Sequence, residues 1–312
     1  MNVRSIKAFL NNQTLRPIIA LAMLVGVGVS PASRALEVFA CEPEWGSLVQ
    51  SLGGDKITVY VATKALQDVH SIEAKPSLIA KLRRADLLVC AGADLEVGWL
   101  PQLQRQAGNQ NVQGGDGVFF AAEAIETLER PTTVDRSQGD VHPMGNPHVH
   151  LDPHRLQLIA QALTERLSKV DRGNEAAYRS LGAQFQSRWQ QAIPRWEQQA
   201  ASLRGKRVVV QHGNFSYLLN WLGMISVATL EPKPGLPPTT SHLTEVLQTL
   251  KTQPAIVVLN AAYQDNRPAQ WLAERAKLPV LTLPYTVGGN DQVTDLFSLY
   301  DNTLQLLLKV SL

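Results

Sequence analysis

Apolar residues along the chain change their period several times, and the changes divide it into strands and helices. Short β-branched or aromatic runs at Leu36 to Ala40, Ile57 to Val61 and Ala85 to Val89 predict buried strands, with helical stretches such as Trp45 to Leu52 and Pro76 to Leu82 between them. A second series of strands is predicted at Arg207 to Gln211, Met224 to Leu230, Ala255 to Leu259 and Val280 to Leu283. Helical segments separate these too, the last running from about Asp291 to Leu308. Such alternation builds βα units around a mostly parallel sheet, so the expected fold class is α/β with two lobes, each a sheet flanked by helices.

Two helices are expected between the lobes. Asp152 can cap the first, with Pro153 at its first position and Leu156, Ile159, Ala160, Leu163 and Leu167 on one face. The second runs from about Asn174 to Leu203, with Tyr178, Leu181, Phe185, Trp189, Ile193, Trp196 and Ala200 recurring every three or four residues and Gly205 as its stop. Pro194 is expected to kink it. The predicted organisation is a leader over 1–35, a first lobe over 36–170, a linking helix over 171–204 and a second lobe over 205–312. A long helix is a stiffer link than a loop and should limit hinge opening. Leu128 to Pro147 reads as a loop rich in Pro, Thr, Asp and Gly.

Composition narrows the function. Charged residues make up 18% of the 312, and the net charge of +2 includes no long block of one sign, which argues against a nucleic-acid partner. Arg4, Lys7 and Arg16 precede a short apolar run, Ile18 to Val29, followed by Ser33-Arg34-Ala35. That is the pattern of a secretory leader, with Leu36 as the first mature residue and the periplasm as destination. A run of about a dozen residues is short for a membrane span. Val38-Phe39-Ala40-Cys41 loosely resembles a lipid-attachment box, but Arg34 and Glu37 separate Cys41 from the apolar run. Cys41 and Cys90 each end a predicted strand. In an oxidising compartment they can pair, or they can remain two buried thiols.

The placement of the seven histidines carries the chemistry. His70 follows the strand ending near Val61 and precedes a helix opened by Pro76. His212 ends the apolar run Val208-Val209-Val210-Gln211. Both lie at the carboxyl end of a parallel strand, where open α/β sheets place ligands. His148 and His150 flank Val149 and would point oppositely in an extended segment, so one of them is a packing or surface residue. His154 is expected to be solvated, His242 structural, and His142 a mobile loop side chain that could assist metal capture. Three imidazoles from two lobes suit Zn²⁺, Cu²⁺ or Ni²⁺ better than Mg²⁺ or Ca²⁺. Asp68, Glu231 and Asp152 are the carboxylates expected to hold ligand rings.

Four segments, in order, resemble the ABC-transporter substrate-binding proteins specific for zinc and manganese: Asp68-Val69-His70 with Lys75-Pro76-Ser77, Asn146 to Pro153, Gln211 to Tyr217, and Leu230 to Pro234. The resemblance spans nearly the whole mature chain. It implies metal ligation by His70, His148 and His212, an ion held between two lobes joined by a long helix, and delivery to a permease in the inner membrane. It also implies that position 150 is not a ligand. Manganese members commonly carry a carboxylate where this chain has His212, so the resemblance favours zinc as the transported ligand. Thr282 to Gly289 holds no carboxylate where the family usually supplies an aspartate. The fourth ligand is left to water, Asp291 or another carboxylate, with capping the final helix the other role for Asp291. The loop before His148, with Asp135, Asp140 and His142, is shorter than in many zinc members. The expected protein is a monomeric, non-enzymatic receptor. Its rivals are a manganese or copper receptor, an adhesin-like protein of the same fold, and a zinc hydrolase whose ion is held by three histidines and a water. The last lacks an HExxH base or a GxSxG nucleophile.

Overall fold

The computed structural model describes residues 34–133, 139 and 141–310. The leader expected over 1–35 lies outside these residues but for its last two, as do Asp135 and Asp140. No helix among the described residues is long and apolar enough to cross a membrane.

Each half carries a four-stranded, all-parallel sheet of the same order. In the first, β1 (Leu36–Ala40), β2 (Ile57–Val61), β3 (Leu87–Cys90) and β4 (Val118–Phe120) stand in the order β2-β1-β3-β4. In the second, β5 (Arg207–Val210), β6 (Ile225–Thr229), β7 (Val257–Ala261) and β8 (Val280–Leu283) stand in the order β6-β5-β7-β8. The chain order reverses beside β1 and beside β5, which opens a crevice at the carboxyl ends of those strands.

Nine α-helices accompany the sheets among the described residues: α1 (Pro43–Gly53), α2 (Pro76–Leu82), α3 (Leu100–Ala107), α4 (Pro153–Val170), α5 (Glu175–Ala200), α6 (Ser216–Leu222), α7 (Thr240–Thr252), α8 (Arg267–Ala276) and α9 (Leu296–Val310). Alternate strand residues divide between opposite faces of each sheet. Val38, Ala40, Leu87 and Val89 of the first sheet and Val208, Val210, Val257 and Leu259 of the second share one apolar cluster with residues of α1, α4, α5, α6 and α9. Phe39, Leu88 and Cys90 turn the other way, onto α2 and α3. Val209 and Val258 do the same against α7 and α8. The inner faces of the two sheets therefore belong to a single core.

The long helix forms as the apolar period requires. Tyr178, Phe185, Trp189, Ile193, Trp196 and Ala200 are its buried stripe, and Gly205 follows in a left-handed conformation at φ 76°. Pro194 lies inside the continuous helix on the exposed side, so the carbonyl of Gln190, deprived of its intrahelical donor, is on a solvated face. Trp189 donates its indole N–H to the Pro153 carbonyl (2.8 Å), and Tyr300 of α9 donates to the His150 carbonyl (2.7 Å). The helices thereby anchor the segment that bears His148. Asp152 caps α4 as expected, accepting from the backbone N–H of His154 and Arg155.

Some boundaries differ from expectation. β3 begins at Leu87 rather than Ala85, because Asn109 takes the carbonyls of Leu82 and Ala85 and holds them in the turn after α2. α9 begins at Leu296 rather than Asp291. Its cap is Asp295, whose side chain accepts from Ser298 N–H at 2.7 Å; Asp291 is exposed in the preceding loop. Cys41 and Cys90 form a disulfide with 4.8 Å between their Cα atoms, buried on the outer face of β1 and β3. Cys41 is thus committed inside the fold.

Candidate metal site

His70 lies between β2 and α2, His148 just before a 3-10 turn that leads into α4, and His212 two residues beyond β5. The structure brings all three together. Ring centres are 5.5 Å apart for His70 and His148, 5.5 Å for His70 and His212, and 5.6 Å for His148 and His212. Imidazoles on a tetrahedral zinc ion, each with nitrogen at about 2.0 Å, have ring centres roughly 5 Å apart. The triangle is about half an ångström wider than such an ion requires, so loading would draw the rings inward.

In each ring Nδ1 is already held. Asp68 holds that of His70 at 2.8 Å, and Glu231 that of His212 at 2.7 Å. The Tyr285 hydroxyl holds that of His148 at 2.6 Å. These partners fix ring orientation and leave Nε2 as the nitrogen that could face an ion. The Nε2 atoms of His70 and His148 are buried with no hydrogen-bond partner, an arrangement that costs free energy unless something occupies the space between them. Burial, followed by the nearby imidazoles, drives His148 well below the usual histidine range, which keeps it neutral and able to donate a lone pair. The hydrogen bond from His70 lowers the Asp68 carboxyl.

Asn146 ties the site across the lobes. Its side-chain Oδ1 accepts from His148 N–H at 3.0 Å, and its side-chain Nδ2 donates to the Gly213 carbonyl and to Glu129 at 2.8 Å each. One expectation does not hold: Asp152 touches none of the three rings, being spent on the α4 cap and an ion pair with Arg155. Asp291, one of the alternatives left open for a fourth ligand, is exposed in the loop before α9. His150 is the packing member of its pair, buried with Nε2 on the Tyr285 carbonyl (2.8 Å) and Nδ1 3.3 Å from Glu44. His154 is exposed against Glu197, and His242 meets the Thr229 carbonyl.

His142 was expected in a mobile loop. Its ring centre instead lies 5.8 Å from that of His70 and 6.2 Å from that of His148, and its Nε2 is also buried without a partner. One nitrogen from each of His70, His142 and His148 fits within 4.8 Å of the others. Burial, then the neighbouring His70 and His212 rings, pushes the His142 imidazole down to about 4. Tyr285 went unmarked in the sequence, since a tyrosine after a strand carries no pattern of its own. A cavity of about 590 Å³, lined by Asp68, His70, His212, Glu231 and Tyr263 among others, opens beside the rings.

Three acids of the first half, Glu42, Glu44 and Glu96, are buried. Glu44 meets Thr286 and His150. Glu96 accepts from the backbone N–H of Ala91 at 2.8 Å and of Gly92 at 3.2 Å. Burial, and then the charge of Glu96, raises Glu42 well above the carboxylate range, and burial raises Glu96 to about 7.

Two parallel α/β lobes on a common core, with imidazoles from both converging at strand ends, define a metal-binding receptor. The chain belongs to the family described as zinc-uptake complex component A, periplasmic, whose model matches residues 38–310. Members of this family are the substrate-binding components of ABC importers, not enzymes. The manganese ABC transporter substrate-binding lipoprotein PsaA of Streptococcus pneumoniae is 21% identical over 282 residues, 85% of this chain and 84% of that one. The crystal structure of ZnuA superposes with a TM-score of 0.75 at 20% identity, covering 89% of this chain and 100% of that one. The Mn-bound periplasmic metal binding protein from Candidatus Liberibacter asiaticus gives 0.72 at 17% identity, covering 88% and 99%.

Proposed function

We propose that this receptor is zinc-selective: it takes up Zn²⁺ in the periplasm through His70, His148 and His212 and hands it, as a monomer, to the permease of an ABC importer in the inner membrane. The observation that carries the reading is the donor set. The two carboxylates nearest the rings, Asp68 and Glu231, are engaged at Nδ1, so the atoms turned toward the common space are imidazole nitrogens. Manganese prefers oxygen donors, whereas zinc accepts an all-nitrogen set. On this reading the chain differs in cargo from the manganese lipoprotein it resembles. The lobes over 36–170 and 205–312, linked through 171–204, act on one shared core, so metal capture reorders loops at strand ends more than it swings lobes.

Calorimetry of the mature protein with zinc and with manganese, beside His212→Ala, tests the assignment. The expected result is one tight zinc site, weak manganese binding, and severe loss of zinc affinity in the variant. Equal affinity for the two metals, or zinc binding indifferent to His212, would overturn it.

A further inference from the structure

The loop ring His142 is placed with more care than a passing surface histidine needs. Its Nε2 has no partner, so the hydrogen bond that it makes to the backbone of Ala93 falls to Nδ1, which donates to that carbonyl. Ala93 sits in a left-handed run: Gly92, Ala93 and Asp94 have φ of 78°, 49° and 65°. Left-handed backbone at non-glycine residues is disfavoured and persists only where the surroundings impose it. Here Glu96 imposes it, its buried carboxylate gripping the N–H groups of Ala91 and Gly92 directly before the turn. The loop is pinned from its own side as well, by Gly145 N–H on the His142 carbonyl at 3.0 Å and Asn146 N–H on the Leu128 carbonyl at 2.8 Å. This restraint mirrors the other three rings, in each of which Nδ1 is held and Nε2 is left for the ion.

We propose that His142 supplies a fourth imidazole to the ion held by His70, His148 and His212, and that this ring makes the site discriminate zinc from manganese. The inference rests on the three-histidine reading above. Its ring separations, 5.8 and 6.2 Å, exceed the triangle's by a few tenths of an ångström, so binding draws it inward. A neutral fourth nitrogen closes the tetrahedron, whereas water in that position would leave an oxygen that manganese can share. Glu96 is a positioning residue in this scheme: it touches no metal and acts through the Ala93 carbonyl.

Nitrogen-15 NMR of the histidine side chains, recorded on the ¹⁵N-histidine-labelled mature protein during a zinc titration, reads each ring separately. The expected result is that four rings, His70, His142, His148 and His212, take on the signature of a metal-bound Nε2, and that His142→Ala leaves three. Zinc affinity in His142→Ala should fall on the order of tenfold or more, at least as much as loss of a ring's outer partner produces, and manganese affinity should fall less. Zinc shifts confined to His70, His148 and His212 would overturn the inference while leaving the three-histidine site standing. No shift at those three would refute that earlier reading instead. An unchanged ratio of zinc to manganese affinity in His142→Ala, with four rings bound in the wild type, would overturn the discriminating role. Glu96→Gln should lower zinc affinity in the wild-type background but cause no further loss in His142→Ala; an equal loss in both backgrounds would mean that Glu96 acts on the fold at large and not through His142.

Discussion

Replacing Glu231 separates the orientation of a ligand ring from the ligand itself. Glu231 holds His212 Nδ1 at 2.7 Å, and the same oxygen accepts from Gly235 N–H at 2.9 Å, so the carboxylate is fixed before any ion arrives. When His212 binds a cation through Nε2, its Nδ1–H becomes more acidic and the bond to the carboxylate strengthens, stabilising the loaded state above the empty one. A hydrogen bond to a charged group is worth about 1.5–3 kcal/mol. Glu231→Leu should therefore weaken zinc binding by roughly 10- to 150-fold, since about 1.4 kcal/mol is tenfold. Glu231→Gln can keep an acceptor but not its charge; a neutral bond is about half as strong, which leaves a loss of roughly three- to tenfold. Competition calorimetry against a chelator of known zinc affinity measures both, with circular dichroism confirming the fold. The order wild type, Gln, Leu is the diagnostic feature. Equal affinity in all three folded proteins would refute the reasoning that the outer carboxylate tunes the ligand, as would a Gln variant weaker than Leu.

Three further perturbations address the frame. The Cys41–Cys90 bridge closes a separation of 49 residues; removing both cysteines should cost roughly 4 kcal/mol by the chain-entropy model, read as a lower urea midpoint, with zinc affinity unaltered because the bridge lies on the outer face of its sheet. Glu96 titrates near 7 in the folded state against 4.5 unfolded. The folded protein therefore holds the extra proton between those values, and stability conferred below pH 4.5 is lost as pH rises through 7. Glu96→Gln removes that loss, so its stability relative to wild type should rise by on the order of 2–3 kcal/mol between pH 4 and pH 8, measured by urea unfolding of the metal-free proteins. The difference between the two proteins reads Glu96 together with Glu42, whose carboxyl Glu96 helps to raise, and removes the opposing loss in acid, where His142 and His148 are held neutral in the fold and protonate on unfolding. Small-angle scattering should show the same radius of gyration with and without zinc, because both inner sheet faces belong to one core; a large compaction would contradict this.

The parts of the fold written in local periodicity were legible. Strands of β-branched residues, the α4 cap at Asp152 with Pro153, and the stripe along α5 depend on residues near one another in the chain, and the structure forms them close to where the pattern places them. The meeting of His70 and His212 was legible because a histidine at the carboxyl end of a parallel strand occupies the place where such sheets bind ligands, and that of His148 with them because the motif around it is shared with a family. His142 was marked only as a loop side chain that could assist metal capture. Its placement depends on the backbone of Ala93, some fifty residues away, and on a turn held by a buried glutamate; nothing in the composition of the loop reports either. The only available sign was position, six residues before His148 and ahead of a Pro-Met-Gly turn. The buried Glu42, Glu44 and Glu96 were hidden for a related reason, since acids read as surface until the backbone N–H groups, histidine and threonine that satisfy them are known. Asp291 shows the converse error: an acid at the right distance from a helix was given a cap that Asp295, four residues on, performs.

The central claim is that one metal ion sits between the lobes on imidazole nitrogen. Crystals of the zinc-loaded mature protein, with diffraction recorded on either side of the zinc absorption edge, would locate the ion without reference to any model of the site. The expected result is a single strong anomalous peak at about 2.0–2.1 Å from Nε2 of His70, His148 and His212, absent when data are taken below the edge. A peak elsewhere, or an ion bound through Asp68 or Glu231 with the rings turned aside, would contradict it.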